Sequence, residues 1–240
     1  MSAQENFDVV ALERQRLVAE YERRDREMAD DLYAPWEPAS RFIVEGRNRK
    51  AAFMLHQSGV FPMFGDRCLE VGFGTISWLA ELLLWGVRES DLHGIDLSET
   101  RTRKAQESLS AADLRVGDAA ELPWIDNSFH LVIASTLFTS ILDLSVRRMV
   151  ADEITRVLVP GGALLWYDFA FNNPKNPNVR KVDREELKDL FPGLFGGIKT
   201  VTLAPPLARV VAGRSWALAN LLETIPFLRT HLLGVLVKKG

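Results

Sequence analysis

The chain has a single cysteine in 240 residues, Cys68, and it lies inside an apolar run. Neither a disulfide framework nor a cysteine-held metal site can be built from it, and a reducing cytoplasm fits. Positive charge is not in excess: 29 Lys and Arg stand against 32 Asp and Glu, a net charge of −3. Without a basic field, tight binding of a nucleic-acid backbone is not expected, and a small acceptor or partner is favoured. The one local basic cluster, residues 41–50 (RFIVEGRNRK), includes a glutamate and reads as a solvated helix face. A long apolar run is also missing. The first residues, MSAQENFDVVALERQRL, are charged throughout, and the apolar C-terminal stretch is broken by Glu223, Pro226 and Arg229, so neither a signal peptide nor a membrane span is expected. The histidines His56, His93, His130 and His231 show no metal-ligand spacing, and no repeat or low-complexity tract is found.

What is present is an ordinary globular composition, 47% hydrophobic and 25% charged, in a chain long enough for one large α/β domain with an appended helical piece. Residues 5–32 are rich in Glu, Arg and Asp with sparse apolar positions (Val10, Leu12, Leu17, Tyr21, Met28) and predict a surface helix. A Pro-punctuated linker, 33–38, precedes a second helix over 40–59. From residue 67 onward apolar strands alternate with helical patterns, which predicts a parallel sheet of βαβ units. Strands are expected at 67–71, 91–96, 113–116, 131–134, 163–168, near 199–204 and at 231–237. Helices are expected at 75–84, 98–108, 145–157, 183–190 and 205–222, with Pro160, Gly161 and Gly162 as a helix stop and turn. The expected organisation is a helical extension or lid over 1–60 and one folding unit over 61–240.

The segment CLEVGFGTISWLAEL combines a strand, a turn with Gly72 and Gly74, and a helical pattern, so the backbone can turn tightly beside a ligand. Two glycines alone also fit a turn that binds nothing. Asp96 ends the second strand where a carboxylate can accept bonds from both ribose hydroxyls, and Asp118 after the third strand can meet an adenine amino group. Ser77, where a dinucleotide fingerprint normally has glycine, makes a nicotinamide cofactor an imperfect match. Glu70, two residues before Gly72, would repel a pyrophosphate but can hold the cationic amino group of a methionine moiety. That charge logic favours S-adenosylmethionine (SAM).

Taken in order, LEVGFGT, GIDLS, GDAAELPWIDNSFHLVIAS and EITRVLVPGGALLWYD resemble the class I SAM-dependent methyltransferases over about residues 67–168. The C-terminal text resembles a type 11-like, bacterial branch of them, associated with glycan or small-metabolite pathways. The resemblance implies a Rossmann-like α/β fold: a seven-stranded, mostly parallel sheet with an antiparallel last strand and helices on both faces. The N-terminal helical extension and a helical insertion before the last strand complete it. It further implies that Glu70, Gly72, Phe73 and Gly74 line the methionine end of SAM, Asp96 and Leu97 the ribose, and Asp118 and Ala119 the adenine, with Ser135 beside the transferring methyl. Two departures stand out: Ile76 takes a place where the family often has glycine and is expected to reshape that turn, and His130 replaces the aspartate usual in the SFD stretch.

Methyl transfer needs a general base only for some acceptors. The candidates are Tyr167 and Asp168 at the end of the fifth strand, with Asn172 and Asn173 of the loop FNNPKNPNVR as polar contacts, although such a run also reads as a plain turn. Asp143 reads first as a helix cap, with a pocket-facing role as the alternative. Tyr21, Tyr33, Trp36 and Arg47 are candidate lid contacts, with packing of Tyr33 and Trp36 on the sheet equally open. The 205–222 stretch has three open readings: a cover for the acceptor pocket, a homodimer face, or a completion of the core. The expected function is transfer of a methyl group to a small-molecule or glycan-type acceptor, oxygen slightly favoured. A non-catalytic SAM-binding protein and an NAD-dependent oxidoreductase are the alternatives.

Overall fold

In the computed structural model, residues 3–27, 32–34, 36–173 and 176–240 are described. Met28, Pro35, Pro174 and Lys175, invoked above, lie outside them. The chain runs α1 (Ala3–Glu27), α2 (Pro38–Gln57), β1 (Cys68–Val71), α3 (Leu79–Leu84), β2 (Leu92–Asp96), α4 (Glu99–Ser108), β3 (Asp113–Val116) and β4 (Phe129–Ser135). It continues through α5 (Leu144–Val157), β5 (Leu158–Phe169), α6 (Arg184–Leu190), β6 (Leu194–Leu203), α7 (Pro205–Val211), α8 (Trp216–Glu223) and β7 (Arg229–Lys238). These strands form one sheet of seven in the order β3-β2-β1-β4-β5-β7-β6. Only β7 runs against its neighbours, pairing antiparallel with β5 and β6. The order reverses direction between β1 and β4, which opens a crevice beyond the C-terminal ends of those strands.

Every residue of β1 and β2 is buried, as a parallel sheet covered on both faces requires. On one face Leu69, Val132, Leu164 and Trp166 pack with Val150 and Ile154 of α5 and Leu187 of α6. On the other Cys68, Ile133, Leu165 and Val235 pack with Met54 and Leu55 of α2 and Leu79 and Leu82 of α3. A smaller cluster of Phe42, Leu203, Ala208 and Ala219 seats α7 and α8 on α2.

Three expectations are corrected in detail. The helix predicted from residue 75 begins only at Leu79, because the Glu70 carboxylate takes the Ser77 hydroxyl at 2.6 Å and the Trp78 N–H at 2.8 Å and holds that segment as a turn. Pro160, Gly161 and Gly162 lie inside β5 instead of ahead of it: Leu158 already pairs with Phe129, and the register then jumps to Leu131 with Ala163, so these residues form a bulge with Gly161 at φ 79°. The 205–222 helix is two short helices, with Ser215 capping the second through the Leu218 N–H. Asp143 is the N-cap of α5, as its position suggested, and Asp183 is the N-cap of α6.

Candidate active site

The sheet presents two different surfaces at its carboxyl edge. On the face that carries α5, a narrow cleft, partly open to solvent, is bounded by Gly72, Asp96, Leu97, Gly117, Asp118 and Ala119. Leu137, Ile141 and Val150 form its apolar side. Helix α1 lies over it and contributes Val10, Glu13, Leu17 and Tyr21. The helix is tied down by Glu13, which accepts the Leu142 N–H at 2.6 Å, and by Arg16, which donates to the Ser140 carbonyl.

The turn after β1 is shaped for close approach. Gly72 and Gly74 have φ of 69° and 55°, and a Cβ on Gly72 would lie 2.9 Å from the Leu137 side chain. Asp96 fixes this turn to its own loop: Oδ2 accepts the Gly74 N–H at 2.9 Å and Oδ1 the Ser98 N–H at 2.8 Å. Each oxygen keeps a further lone pair for a ligand hydroxyl. Asp118 is held by the Ala120 N–H at 2.9 Å and lines the same cleft. Phe73 turns away from the cleft: its buried ring packs on Gly94, where a Cβ would come within 2.8 Å of it, so only its backbone can face a ligand.

Beneath α2, on the opposite face, sits a closed polar knot. Glu70 is fully enclosed, and burial pushes its carboxyl up to about 8 against the opposing pull of Ser77, Trp78 and Arg47. Arg47 from α2 lies 3.9 Å over the Trp78 ring and reaches Ser135 Oγ at 3.5 Å. Tyr167 stacks on His231 with ring centroids 4.7 Å apart, and its hydroxyl pairs with Thr202 Oγ1 at 2.9 Å. Burial raises the Tyr167 phenol to about 12 and lowers His231 to about 3.

Asp168 is not part of that knot. Successive strand residues point to opposite faces, so Tyr167 and Asp168 cannot serve one reacting centre. Asp168 accepts the Thr139 N–H at 3.0 Å and the Phe169 N–H at 2.9 Å, and burial raises its carboxyl to about 7. It buttresses the loop after β4, where Thr136 is held at φ 52° by its N–H bond to the Tyr167 carbonyl. Nearby, fully buried Arg147 donates to the carbonyls of Ile141 and Arg180 and pairs with Glu186. Asn172 is exposed and caps its own loop by accepting the Lys181 N–H at 2.8 Å, and Asn173 is exposed beside it. Tyr33 and Trp36 are exposed, Trp36 at 76%. Of the lid candidates, only Tyr21 lines the cleft. Sequence reasoning did not single out the cleft residues Glu13, Leu17 and Leu137 or the buried Arg147.

The topology is that of a Rossmann-like, doubly wound α/β sheet with an antiparallel β7. Residues 68–162 match a family model described as "Methyltransferase domain". Among curated proteins, the demethylmenaquinone methyltransferase of Desulfitobacterium hafniense is 31% identical over 123 residues, covering 49% of this chain and 47% of that protein. The chain thus spans about half the length of the curated relatives it matches. Among solved structures, the 1,6-didemethyltoxoflavin-N1-methyltransferase of Burkholderia thailandensis, which holds 1,6-didemethyltoxoflavin and S-adenosylhomocysteine, aligns at TM-score 0.62 and 16% identity over 100% of this chain and 92% of that one. A putative sarcosine dimethylglycine methyltransferase from Galdieria sulphuraria gives 0.61 and 16%, covering 80% and 85%. At such identities the two structures establish the fold.

Proposed function

We propose that the protein transfers a methyl group from SAM to a small-molecule acceptor. The observation that carries this reading is the cleft itself. It offers an apolar wall for a nucleoside and two carboxylates, Asp96 and Asp118, at the ends of adjacent strands. Asp96 would take the ribose hydroxyls, Asp118 and Ala119 the adenine edge, and the turn from Gly72 to Gly74 the methionine end. The cofactor supplies an already activated methyl on a sulfonium. The chain's task is then to orient both partners and exclude water, and α1, lying over the cleft, serves as the cover.

Ser135, at the β4 end beside Thr136, would be the residue beside the transferring methyl. A proton-abstracting role for Tyr167 is not favoured, since its hydroxyl is engaged with Thr202 and its phenol is held neutral. Asp168 lies on the cleft's side of the sheet but is enclosed, its oxygens taken by the Thr139 and Phe169 N–H groups. The acceptor atom is therefore one that is ionised or electron-rich at neutral pH; oxygen qualifies as an acidic hydroxyl. The quinone-type acceptor in the relatives' name and the nitrogen heterocycle of the toxoflavin enzyme are small and unsaturated, and they make such compounds the first to screen, ahead of saccharides.

Calorimetric titration with SAM, S-adenosylhomocysteine and NADH tests the cofactor. Binding of the first two and not the third is expected, and binding of NADH alone would overturn the reading.

A further inference from the structure

The segment between β6 and β7 packs the wrong way round for one that only completes a core. Helices α7 and α8 turn their small residues inward, with Ala208, Ala212 and Ala219 set against Phe42 and Leu203. Their large apolar residues face outward: Leu207, Val210, Leu218 and Leu221 are exposed, and Phe227 follows in the turn at Pro226–Leu228. Val210, Leu221 and Phe227 are 61%, 63% and 81% exposed, so most of each side chain stands in water. Single exposed leucines are ordinary, but a run of them on two helices that touch each other marks a docking face. The helices are firmly seated beneath it, since Trp216 packs edge-on against Phe42 of α2 at 5.8 Å between ring centroids.

Charge on the same segment is one-sided. Residues 203–228 contain two cations, Arg209 and Arg214, both exposed, and one acid, Glu223. Glu223 is buried, accepts the Leu203 N–H and pairs with Lys50 at 2.7 Å. The outer face therefore offers arginines and no exposed acid, in a chain whose net charge is −3. Apolar side chains interspersed with arginines suit the boundary of an anionic bilayer, where acyl chains take up the leucines and lipid phosphates the guanidinium groups. A second copy of this chain is a poorer occupant, because a two-fold interface would lay the face on itself and enclose the arginines of both copies with no exposed carboxylate to meet them. No described helix is long and apolar enough to cross a membrane, so the contact is with a surface.

Position gives the face a use. β6 pairs antiparallel with β7, which pairs antiparallel with β5, so β6 runs with the parallel strands and α7 and α8 follow at their carboxyl edge, the edge that carries the cleft.

We propose that α7, α8 and the turn at Pro226–Leu228 dock this edge of the protein on an anionic lipid surface. An acceptor with an apolar anchor would be met there; that consequence rests on the methyl-transfer reading, whereas docking itself does not.

The test is co-sedimentation of the full chain with vesicles of phosphatidylcholine alone and of equal parts phosphatidylcholine and phosphatidylglycerol, with size-exclusion chromatography and S-adenosylhomocysteine calorimetry alongside. The wild type should bind the mixed vesicles about ten- to thirtyfold more tightly than the neutral ones, as two arginines near an anionic surface imply. Leu218→Gln combined with Leu221→Gln should weaken binding to both vesicles by about tenfold or more. Arg209→Gln combined with Arg214→Gln should abolish the preference for the mixed ones. All four side chains are exposed, so neither double variant should change the melting temperature or the S-adenosylhomocysteine affinity appreciably. A wild type that binds neither vesicle, or double variants that bind both as the wild type does, would overturn the proposal. A wild-type dimer that the leucine variant turns into a monomer would give the face to a second copy and overturn it as well. Vesicle binding by a wild type that ignores S-adenosylhomocysteine would support docking and sink the methyl-transfer reading instead.

Discussion

The two ends of the sheet edge solve opposite problems. In the cleft beneath α1, the carboxylates of Asp96 and Asp118 line open space and each use only part of their bonding capacity on backbone N–H groups, Asp96 buried and Asp118 half-buried. At the β4 and β5 ends the polar groups Tyr167, Asp168 and Arg147 are buried and spend themselves on Thr202, Glu186 and loop backbone. The difference separates binding from scaffolding: substitutions in the cleft should register as lost affinity, whereas substitutions at the packed end should register as lost stability. Arg47 stands apart because it is buried like the second group and unfulfilled like the first, its Nη2 having no hydrogen-bond partner among the described residues.

The largest effect is expected at Arg147. Replacing it with Met strands the carbonyls of Ile141 and Arg180 and one partner of Glu186 in a buried setting, which should cost about 3 to 5 kcal/mol in urea unfolding. A loss below about 1 kcal/mol would mean that the packed end is not the scaffold supposed here.

Asp168 gives the same end a pH signature. Its carboxyl is raised to about 7 in the folded protein, against about 3.9 for an exposed aspartate. As pH rises through 4 the unfolded chain releases a proton that the folded chain retains, so this group's contribution declines until about pH 7 and then levels off. The decline should amount to about 2 to 4 kcal/mol. Asp168→Asn, though less stable for want of one acceptor, should show a flatter profile across that window. An unchanged slope would show the group to be ionised already.

On the cleft side, Asp96→Asn should weaken S-adenosylhomocysteine by about ten- to a hundredfold, corresponding to about 1.5 to 3 kcal/mol for a hydrogen bond to a charged group. The asparagine retains an acceptor for only one of the Gly74 and Ser98 N–H groups, so a stability loss of about 1 kcal/mol should accompany the lost affinity. A large stability loss with unchanged affinity would reverse the comparison. Tyr167→Phe should do the opposite on a smaller scale, losing about 1 kcal/mol of stability with the pH profile of methyl transfer unaltered. A lost alkaline limb would restore Tyr167 as a proton acceptor.

These contrasts also explain how far the sequence could be read. The cleft was legible because each part is local: Gly72, Asp96 and Asp118 each sit where a short buried strand ends, and hydrophobic runs with glycine mark such ends well. The packed end joins residues far apart in the chain, Arg47 with Ser135, Tyr167 with Thr202, Arg147 with Glu186, and no spacing announces those pairs. One available signal went unused. Tyr167 and Asp168 are neighbours in a strand, and alternation alone places them on opposite faces. The late start of α3 likewise depended on Glu70 reaching Ser77 and Trp78, a contact that helical patterning cannot register.

The smallest expected effects lie on the cover. Tyr21 lines the cleft, and the Arg101 guanidinium lies 5.0 Å from its ring, so Tyr21→Ala removes apolar wall from the ligand's surroundings and should lower S-adenosylhomocysteine affinity about fivefold. Trp36, 76% exposed just ahead of α2, has almost no buried surface to lose, and Trp36→Ala should leave affinity within about twofold and stability within about 0.5 kcal/mol. Side by side, the two aromatic substitutions test whether the cover is α1 or the segment after it. A strong Trp36 effect with a silent Tyr21 would mean that Trp36 closes over the ligand in the bound protein, and that the cleft is capped from the side of the polar knot instead of by α1.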